Sequence, residues 1–110
     1  MLVARRTSEL NDARGEIVAA GGEAATLACD LANRDTIDDC AAKALRFFGA
    51  PDILVNAAGV NVRRPMLEVT RDDWDRVLKL NLETPFFLTQ RLVPAMIERG
   101  FGRIINIASL

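Results

Sequence analysis

Short apolar runs alternate with amphipathic stretches along the chain. The four apolar runs are of the length that forms β-strands, and they lie within MLVA, EAATLACD, DILVNAAG and GRIINIAS. Between them, apolar residues recur every three or four positions, as on one face of an α-helix. The resulting β-α-β-α-β-α-β order predicts an α/β fold with parallel strands and right-handed helical crossovers. DILVNAAG is continuously apolar, which predicts a strand buried on both faces.

Capping residues predict where the helices begin and end. Asn33 before the second amphipathic stretch and Gly49 after it are typical of an N-cap and a C-terminal stop. Thr70 with Asp73 three residues later predicts a capping box. It would open a long third helix that reaches about Arg99.

Composition narrows the function classes. The net charge of −1 and a pI near 5.4 give no electrostatic footprint for nucleic acid or an anionic membrane. There is no histidine, and Cys29 and Cys40 lack metal-ligand spacing, so no metal site and no serine–histidine hydrolase is predicted. We expect two small buried thiols in a reducing cytoplasm.

The carboxyl ends of the predicted strands carry the candidate site. Parallel sheets bind ligands at these ends, near the point where strand order reverses. Each end is polar or glycine-rich where the preceding positions are apolar. The four ends are Arg5, Asp30, residues 56–59 and Ser109.

Asn81 and Pro85 are anomalies in the long helix. Asn81 falls on the apolar stripe formed by Trp74, Val77, Leu78, Leu82, Leu92, Val93 and Met96, so we expect a buried amide that needs a partner. It is either a structural amide bonded to a neighbouring strand or a functional group. Pro85 has no N–H for the Asn81 carbonyl, so we expect a kink or loosening there that frees this oxygen.

Four motifs in order resemble the short-chain dehydrogenase/reductase family, and the resemblance covers essentially all 110 residues. They are CDL at 29–31, NAAG at 56–59, Trp74 followed by Asn81, and GRIINIAS at 102–109. The usual second motif is Asn-Asn-Ala-Gly, and Ala57 replaces its second asparagine. The resemblance implies a partial Rossmann-type, doubly wound parallel sheet, with family strands 2 to 5 and three helices present.

The resemblance also implies roles for individual residues. Ser109 matches the catalytic serine, and Asn81 matches the catalytic asparagine whose main-chain carbonyl holds a relay water. Asp30 and Leu31 match residues at the cofactor's adenine. A further segment matches the part that runs under the cofactor near the nicotinamide ribose, namely Asn56, Ala57, Ala58 and Gly59.

Arg5 and Arg6 bear on the choice of cofactor. In NAD enzymes the corresponding strand usually ends in an acidic residue that binds the ribose 2′-hydroxyl. A basic residue suits a 2′-phosphate, so NADP is favoured over NAD. The alternative is a solvated charge pair ahead of a helix.

Two parts of the family pattern do not occur in these 110 residues. They are the Tyr-x-x-x-Lys motif and the glycine-rich turn of the first βα unit. We therefore expect residues 1–110 to be an incomplete NAD(P)-binding Rossmann domain, marginal and catalytically inert by itself. Without family strand 1, the first and third strands either pair directly or leave the sheet split.

The substrate is the least determined feature. NVRRP after NAAG and the ending NIASL resemble gluconate and deoxygluconate dehydrogenases, where Arg63 or Arg64 could bind a sugar-acid carboxylate. The resemblance to 3-oxoacyl-carrier-protein reductases is nearly as good. The expected activity is hydride transfer between NADP(H) and a carbonyl or secondary alcohol in a homotetrameric or homodimeric enzyme. A non-catalytic nucleotide-binding or oligomer-associating module is the alternative.

Overall fold

The computed structural model describes residues 1–108 and has the predicted order of elements. Three crossovers join the strands, and the third is a long helical segment in three parts. The elements are β1 (Leu2–Ala4), α1 (Thr7–Ala19), β2 (Thr26–Ala28), α2 (Arg34–Phe48), β3 (Ile53–Asn56), a 3₁₀ turn (Met66–Glu68), α3 (Arg71–Leu78), a π turn (Lys79–Glu83), α4 (Thr84–Glu98) and β4 (Arg103–Asn106).

The strands form two separate parallel pairs. β1 pairs with β2, with Leu2 opposite Thr26, and β3 pairs with β4, with Ile53 opposite Arg103. Of the two expected arrangements, direct pairing of the first and third strands is therefore wrong and the split sheet is confirmed. The α/β class with parallel strands is also confirmed.

Burial of the third strand differs from the prediction. β3 spans only Ile53–Asn56, and Ile53 and Val55 are 54% and 52% exposed. The expectation of a strand buried on both faces is wrong for the described chain. All four residues of β4 are exposed as well, so neither face of the β3–β4 pair is fully covered by residues 1–108.

The helix ends follow the predicted capping chemistry. The Asn33 side chain accepts a hydrogen bond from the Asp35 N–H at 3.0 Å, and α2 ends at Gly49 with φ 76°. The Thr70 hydroxyl accepts from the Asp73 N–H at 3.1 Å, while the Asp73 carboxylate accepts from the Thr70 N–H at 3.1 Å. The Thr70 hydroxyl also lies 2.8 Å from the Asp73 carboxylate, and the hydrogen bonds from this hydroxyl and from the Thr70 N–H lower the pKa of Asp73 because they stabilise the carboxylate.

The main core lies between α2 and α4. Its buried residues are Leu31, Ile37, Cys40, Ala41, Leu88 and Leu92. At its edge, the Arg91 guanidinium donates two hydrogen bonds to the Asp38 carboxylate, both at 2.6 Å. Within residues 1–108, no helix is both long enough and apolar enough to cross a bilayer.

The apolar stripe of the long helical segment is only half buried. Leu92 and Met96 are each 5% exposed, but Trp74 and Leu82 are 61% and 65% exposed. The prediction of one buried stripe is therefore wrong for its N-terminal half. α2 packs against α4 and against apolar strand residues, whereas Trp74 of α3 stays exposed among the described residues.

Candidate functional site

The strand ends place the predicted site residues in two groups. Arg5 and Asp30 follow β1 and β2, which are paired, so they share one sheet edge. Residues 56–59 lie at the end of β3, beside the end of β4. Ser109 lies outside the described residues.

The two arginines after β1 differ in their surroundings. Both are exposed, and the Arg6 guanidinium forms an ion pair with Glu9 at 2.8 Å. Within residues 1–108, Arg5 forms no ion pair. Arg5 is thus the more available cation at this edge.

The turn after β2 is held by several hydrogen bonds. The Asp30 carboxylate accepts from the Ala32 N–H at 3.1 Å. The Asp30 carbonyl accepts from the Thr36 hydroxyl at 2.7 Å and from the Asn33 N–H at 3.1 Å. Leu31 is only 7% exposed and belongs to the core. The predicted adenine-binding pair therefore sits on a well-ordered turn, with an exposed carboxylate beside a buried leucine.

Asn56 forms a pair with an asparagine that the sequence analysis missed. Asn56 is 8% exposed, and its Nδ2 donates to Asn106 Oδ1 at 2.9 Å. The two residues are opposite each other in the parallel register. The Ile107 N–H also donates to the Asn56 carbonyl at 3.0 Å. The signal was present, since LVN and IIN each end a strand on asparagine.

The Asn81 side chain binds the main chain of Val60. Its Oδ1 accepts from the Val60 N–H at 2.8 Å, and its Nδ2 donates to the Val60 carbonyl at 2.9 Å. Asn81 is exposed, so the expectation of a buried amide is wrong. As at the neighbouring Leu82, no described residue covers this side of the helical segment. Its partner is the segment after β3 rather than a strand. A Cβ placed on Gly59 would lie 3.5 Å from Asn81 Oδ1, so Gly59 adjoins this contact.

The helix loosens at Pro85 as predicted. Residues Lys79–Glu83 form a π turn, in which the Thr84 N–H donates to the Lys79 carbonyl. The Leu80 carbonyl therefore loses the N–H that an α-helix would direct to it, and Pro85 has none for the Asn81 carbonyl. The usual α-helical donor is therefore absent for both carbonyl oxygens.

Two cavities meet at residues 56–58. An open cavity of about 1340 Å³ is bounded by residues 56–61, Asn81 and residues 106–108. A smaller cavity of about 330 Å³ has Val3, Leu31 and residues 54–58 in its wall. Ala57, Ala58 and Gly59 are exposed and carry at most a methyl group, so their main chain is accessible from the larger cavity.

The loop arginines again differ from one another. The Arg64 guanidinium lies 3.3 Å from the Asp73 carboxylate, which already belongs to the capping box. Arg63 is exposed and forms no ion pair with any residue from 1 to 108. Neither arginine is among the residues that bound the two cavities.

The two cysteines are free thiols at the α2 core. Cys40 is 2% exposed, and burial raises the pKa of its thiol to about 12. Cys29 is only partly buried, so the expectation of two buried cysteines is right for Cys40 alone. The Cys29 thiol lies 3.6 Å from the Thr36 hydroxyl.

Comparison with known proteins identifies relatives over the whole chain. Gluconate 5-dehydrogenase of Gluconobacter oxydans is 36% identical over 110 residues, 100% of this chain and 43% of that protein. The 3-oxoacyl-[acyl-carrier-protein] reductase of Synechocystis sp. is 38% identical over 95 residues, 86% of this chain and 38% of that protein. The crystal structure of a metagenomic short-chain oxidoreductase in complex with NADP has a TM-score of 0.93 and 43% identity, over 99% of this chain and 50% of that one.

The chain thus spans 38% to 50% of the length of these three relatives. A family model described as short chain dehydrogenase matches residues 1–110. The structural likeness extends to the whole described segment, including its parallel strands and the helices between them. The resemblance seen in the four motifs is confirmed, and the chain belongs to the short-chain dehydrogenase family.

Proposed function

We propose that this chain is the part of an NADP-linked oxidoreductase that holds the adenine side of the cofactor and one wall of the active site. The protein would transfer a hydride between the nicotinamide and a carbonyl or secondary alcohol. One observation carries the proposal. A single cavity brings together Asn81, the segment 56–59 and residues 106–108, which lead directly into Ser109.

The residues present fit a dinucleotide. Asp30 offers an exposed carboxylate for the adenine amino group, and Leu31 provides an apolar surface beside it. Arg5 is available for a 2′-phosphate, which supports NADP over NAD. Ala57, Ala58 and Gly59 leave the main chain accessible to the nicotinamide ribose. The cofactor supplies the redox chemistry when it is bound.

The chain's own part in the chemistry is positioning and proton handling. Ser109 is proposed to donate a hydrogen bond to the substrate oxygen. The Asn81 main-chain carbonyl, which has no N–H of Pro85 to accept, would hold a water of the proton relay. The family's tyrosine is not available, because the 110 residues contain none, so we expect no turnover by this chain alone.

Sugar acids are the proposed substrate class. Arg63 is the better candidate for the substrate carboxylate, since Arg64 is engaged with Asp73. A 3-oxoacyl thioester is the competing substrate. The gluconate 5-dehydrogenase and 3-oxoacyl reductase relatives match at similar identity, which supports the two classes about equally.

Calorimetric titration of the 110-residue chain with NADP⁺ and NAD⁺ tests the cofactor proposal. We expect NADP⁺ to bind at least tenfold more tightly, and Arg5→Gln to remove most of that preference. Arg46→Gln, near the end of α2, is the matched control. Equal binding of both nucleotides would contradict the role of Arg5, and no binding of either would contradict the nucleotide site.

The gene on both sides of the reading frame tests the catalytic part. An in-frame Tyr-x-x-x-Lys downstream and a glycine-rich turn upstream would support the roles of Ser109 and Asn81. Stop codons on both flanks would contradict hydride transfer by this gene product.

Oligomer association is a second candidate function, and exposed apolar side chains favour it. They recur every four residues from α3 through the π turn into α4, at Trp74, Leu78, Leu82 and Phe86, and Ile97 lies further along α4. Leu82 and Phe86 also bound the larger cavity. Native mass spectrometry of the chain mixed with an intact homologue would test this function. Hetero-oligomers would support it, and only unmixed species would contradict it.

A further inference from the structure

Thr84 is the most completely buried polar residue among residues 1–108, at 1% exposure. It is the first residue of α4 and directly follows the π turn. Its hydroxyl lies 2.6 Å from the Leu31 carbonyl oxygen and 2.9 Å from the Lys79 carbonyl oxygen. One hydroxyl therefore joins the turn after β2 to the helix that carries Asn81.

The contact with Leu31 leads to the Asp30 carboxylate through one peptide unit. The Leu31 carbonyl and the Ala32 N–H belong to the same planar group, which turns as a rigid body. The Thr84 hydroxyl binds the oxygen of that group, and the Ala32 N–H of the same group donates to Asp30 Oδ1 at 3.1 Å. The Thr84 hydroxyl thus orients the plane that holds the Asp30 carboxylate.

The contact with Lys79 leads to the Asn81 side chain. The Lys79 carbonyl accepts from the Thr84 N–H, which defines the π register of the turn. The Thr84 hydroxyl has a single hydrogen, which the Leu31 and Lys79 carbonyl oxygens share at 2.6 Å and 2.9 Å. That register sets the direction of Asn81, whose amide binds the Val60 main chain in two places.

We propose that Thr84 is a positioning residue that orients Asp30 and Asn81 together through its hydroxyl. Because its side chain is 1% exposed, it is proposed to act through these two residues. The proposal rests on the proposed function, because the two residues that Thr84 orients are those proposed to meet the adenine and the relay water. A burial role alone would need only the volume of the side chain, which valine also supplies.

Two substitutions separate the hydroxyl from the volume. Thr84→Val keeps the shape and removes the hydroxyl, and Thr84→Ser keeps the hydroxyl. Thr26→Val, in β2, is the matched control, because the Thr26 side chain makes no hydrogen bond with residues 1–108. Amide hydrogen exchange of the 110-residue chain, measured by NMR without nucleotide, reports on the Ala32 and Val60 N–H groups.

We expect Thr84→Val to accelerate exchange at both amides severalfold, while Thr84→Ser and Thr26→Val leave both near wild type. Unchanged exchange in a folded Thr84→Val chain would overturn the proposal. If Thr84→Val does not fold, Thr84→Ser decides: wild-type protection of both amides supports the hydroxyl, and loss at either overturns it.

A double-mutant cycle with Asp30→Ala tests the route through the carboxylate. Thr84→Val should weaken NADP⁺ binding about tenfold in the wild-type background, the order of one hydrogen bond, and less than twofold in the Asp30→Ala background. An equal loss in both backgrounds would overturn the route. If the wild type binds no NADP⁺, the cofactor proposal fails, and the exchange rates still decide the role of Thr84.

Discussion

The two hydrogen bonds between Asn81 and Val60 lead to a sharp prediction for Asn81→Asp. In the wild-type chain the Val60 N–H donates to Asn81 Oδ1 at 2.8 Å, and aspartate keeps an oxygen that can accept this bond. It replaces the Nδ2 donor, 2.9 Å from the Val60 carbonyl, with a second oxygen. Two acceptors then face each other, whereas Asn81→Ala removes both bonds without creating a repulsion.

The magnitudes follow from the exposure of this site. A net hydrogen bond contributes about 1 kcal/mol, and the freed Val60 groups regain water, so Asn81→Ala should cost roughly 1 kcal/mol of unfolding free energy. The opposed oxygens in Asn81→Asp should raise the cost to roughly 2 kcal/mol at pH 7.

The pH dependence of Asn81→Asp gives a sign that can be checked. A protonated carboxyl can donate to the Val60 carbonyl, so folding should raise the pKa of the introduced group above its usual value of about 3.9. The deficit is then smallest below about pH 4, where the carboxyl is protonated in both states, and it grows as the pH rises towards about 6.

Urea unfolding followed by circular dichroism from pH 3 to pH 8 measures this deficit. Asn61→Asp is the control, because it adds the same charge next to Val60 without a described hydrogen bond to lose. Ordinary surface substitutions change the free energy of unfolding by up to about 0.5 kcal/mol. If Asn81→Asp changes it by no more than that at pH 7, the proposed repulsion between the two oxygens is refuted. A deficit that grows on acidification would refute it as well.

Three further perturbations test the core, a thiol and a helix start. Leu92 is 5% exposed, so Leu92→Ala should lower the free energy of unfolding in urea by about 2–5 kcal/mol. Leu82 is 65% exposed, so Leu82→Ala should lower it by less than about 0.5 kcal/mol. Similar losses at both positions would contradict the one-sided packing. Burial raises the pKa of Cys40 to about 12, so its alkylation at pH 8 should be slow in the folded chain and rapid in urea, and equal rates would contradict its burial. Thr70→Ala should cost about 1 kcal/mol and bring the pKa of Asp73 back up, which NMR titration of that carboxyl measures; an unchanged pKa would contradict the capping box.

Local features were well predicted because their causes lie within a few residues of sequence. The Asn33 cap and the Thr70–Asp73 capping box each depend on groups no more than three residues apart. The loosening before Pro85 depends on a missing N–H, which is a property of proline itself, and it occurs as the π turn. The strand ends were predicted less closely, since β4 ends at Asn106 and the predicted end at Ser109 lies outside the described residues.

The sequence by itself determined the order of elements and the capping of α2 and α3. Only the tertiary structure decided that the sheet is split, that Asn81 is exposed and bound to Val60, and that the Thr84 hydroxyl meets the Leu31 carbonyl. Asn81 and Val60 are 21 residues apart, and Thr84 and Leu31 are 53 apart. Periodicity predicts which face of a helix is apolar, but residues distant in sequence decide whether that face is covered. The apolar face of the long helical segment is covered at Leu92 and exposed at Leu82.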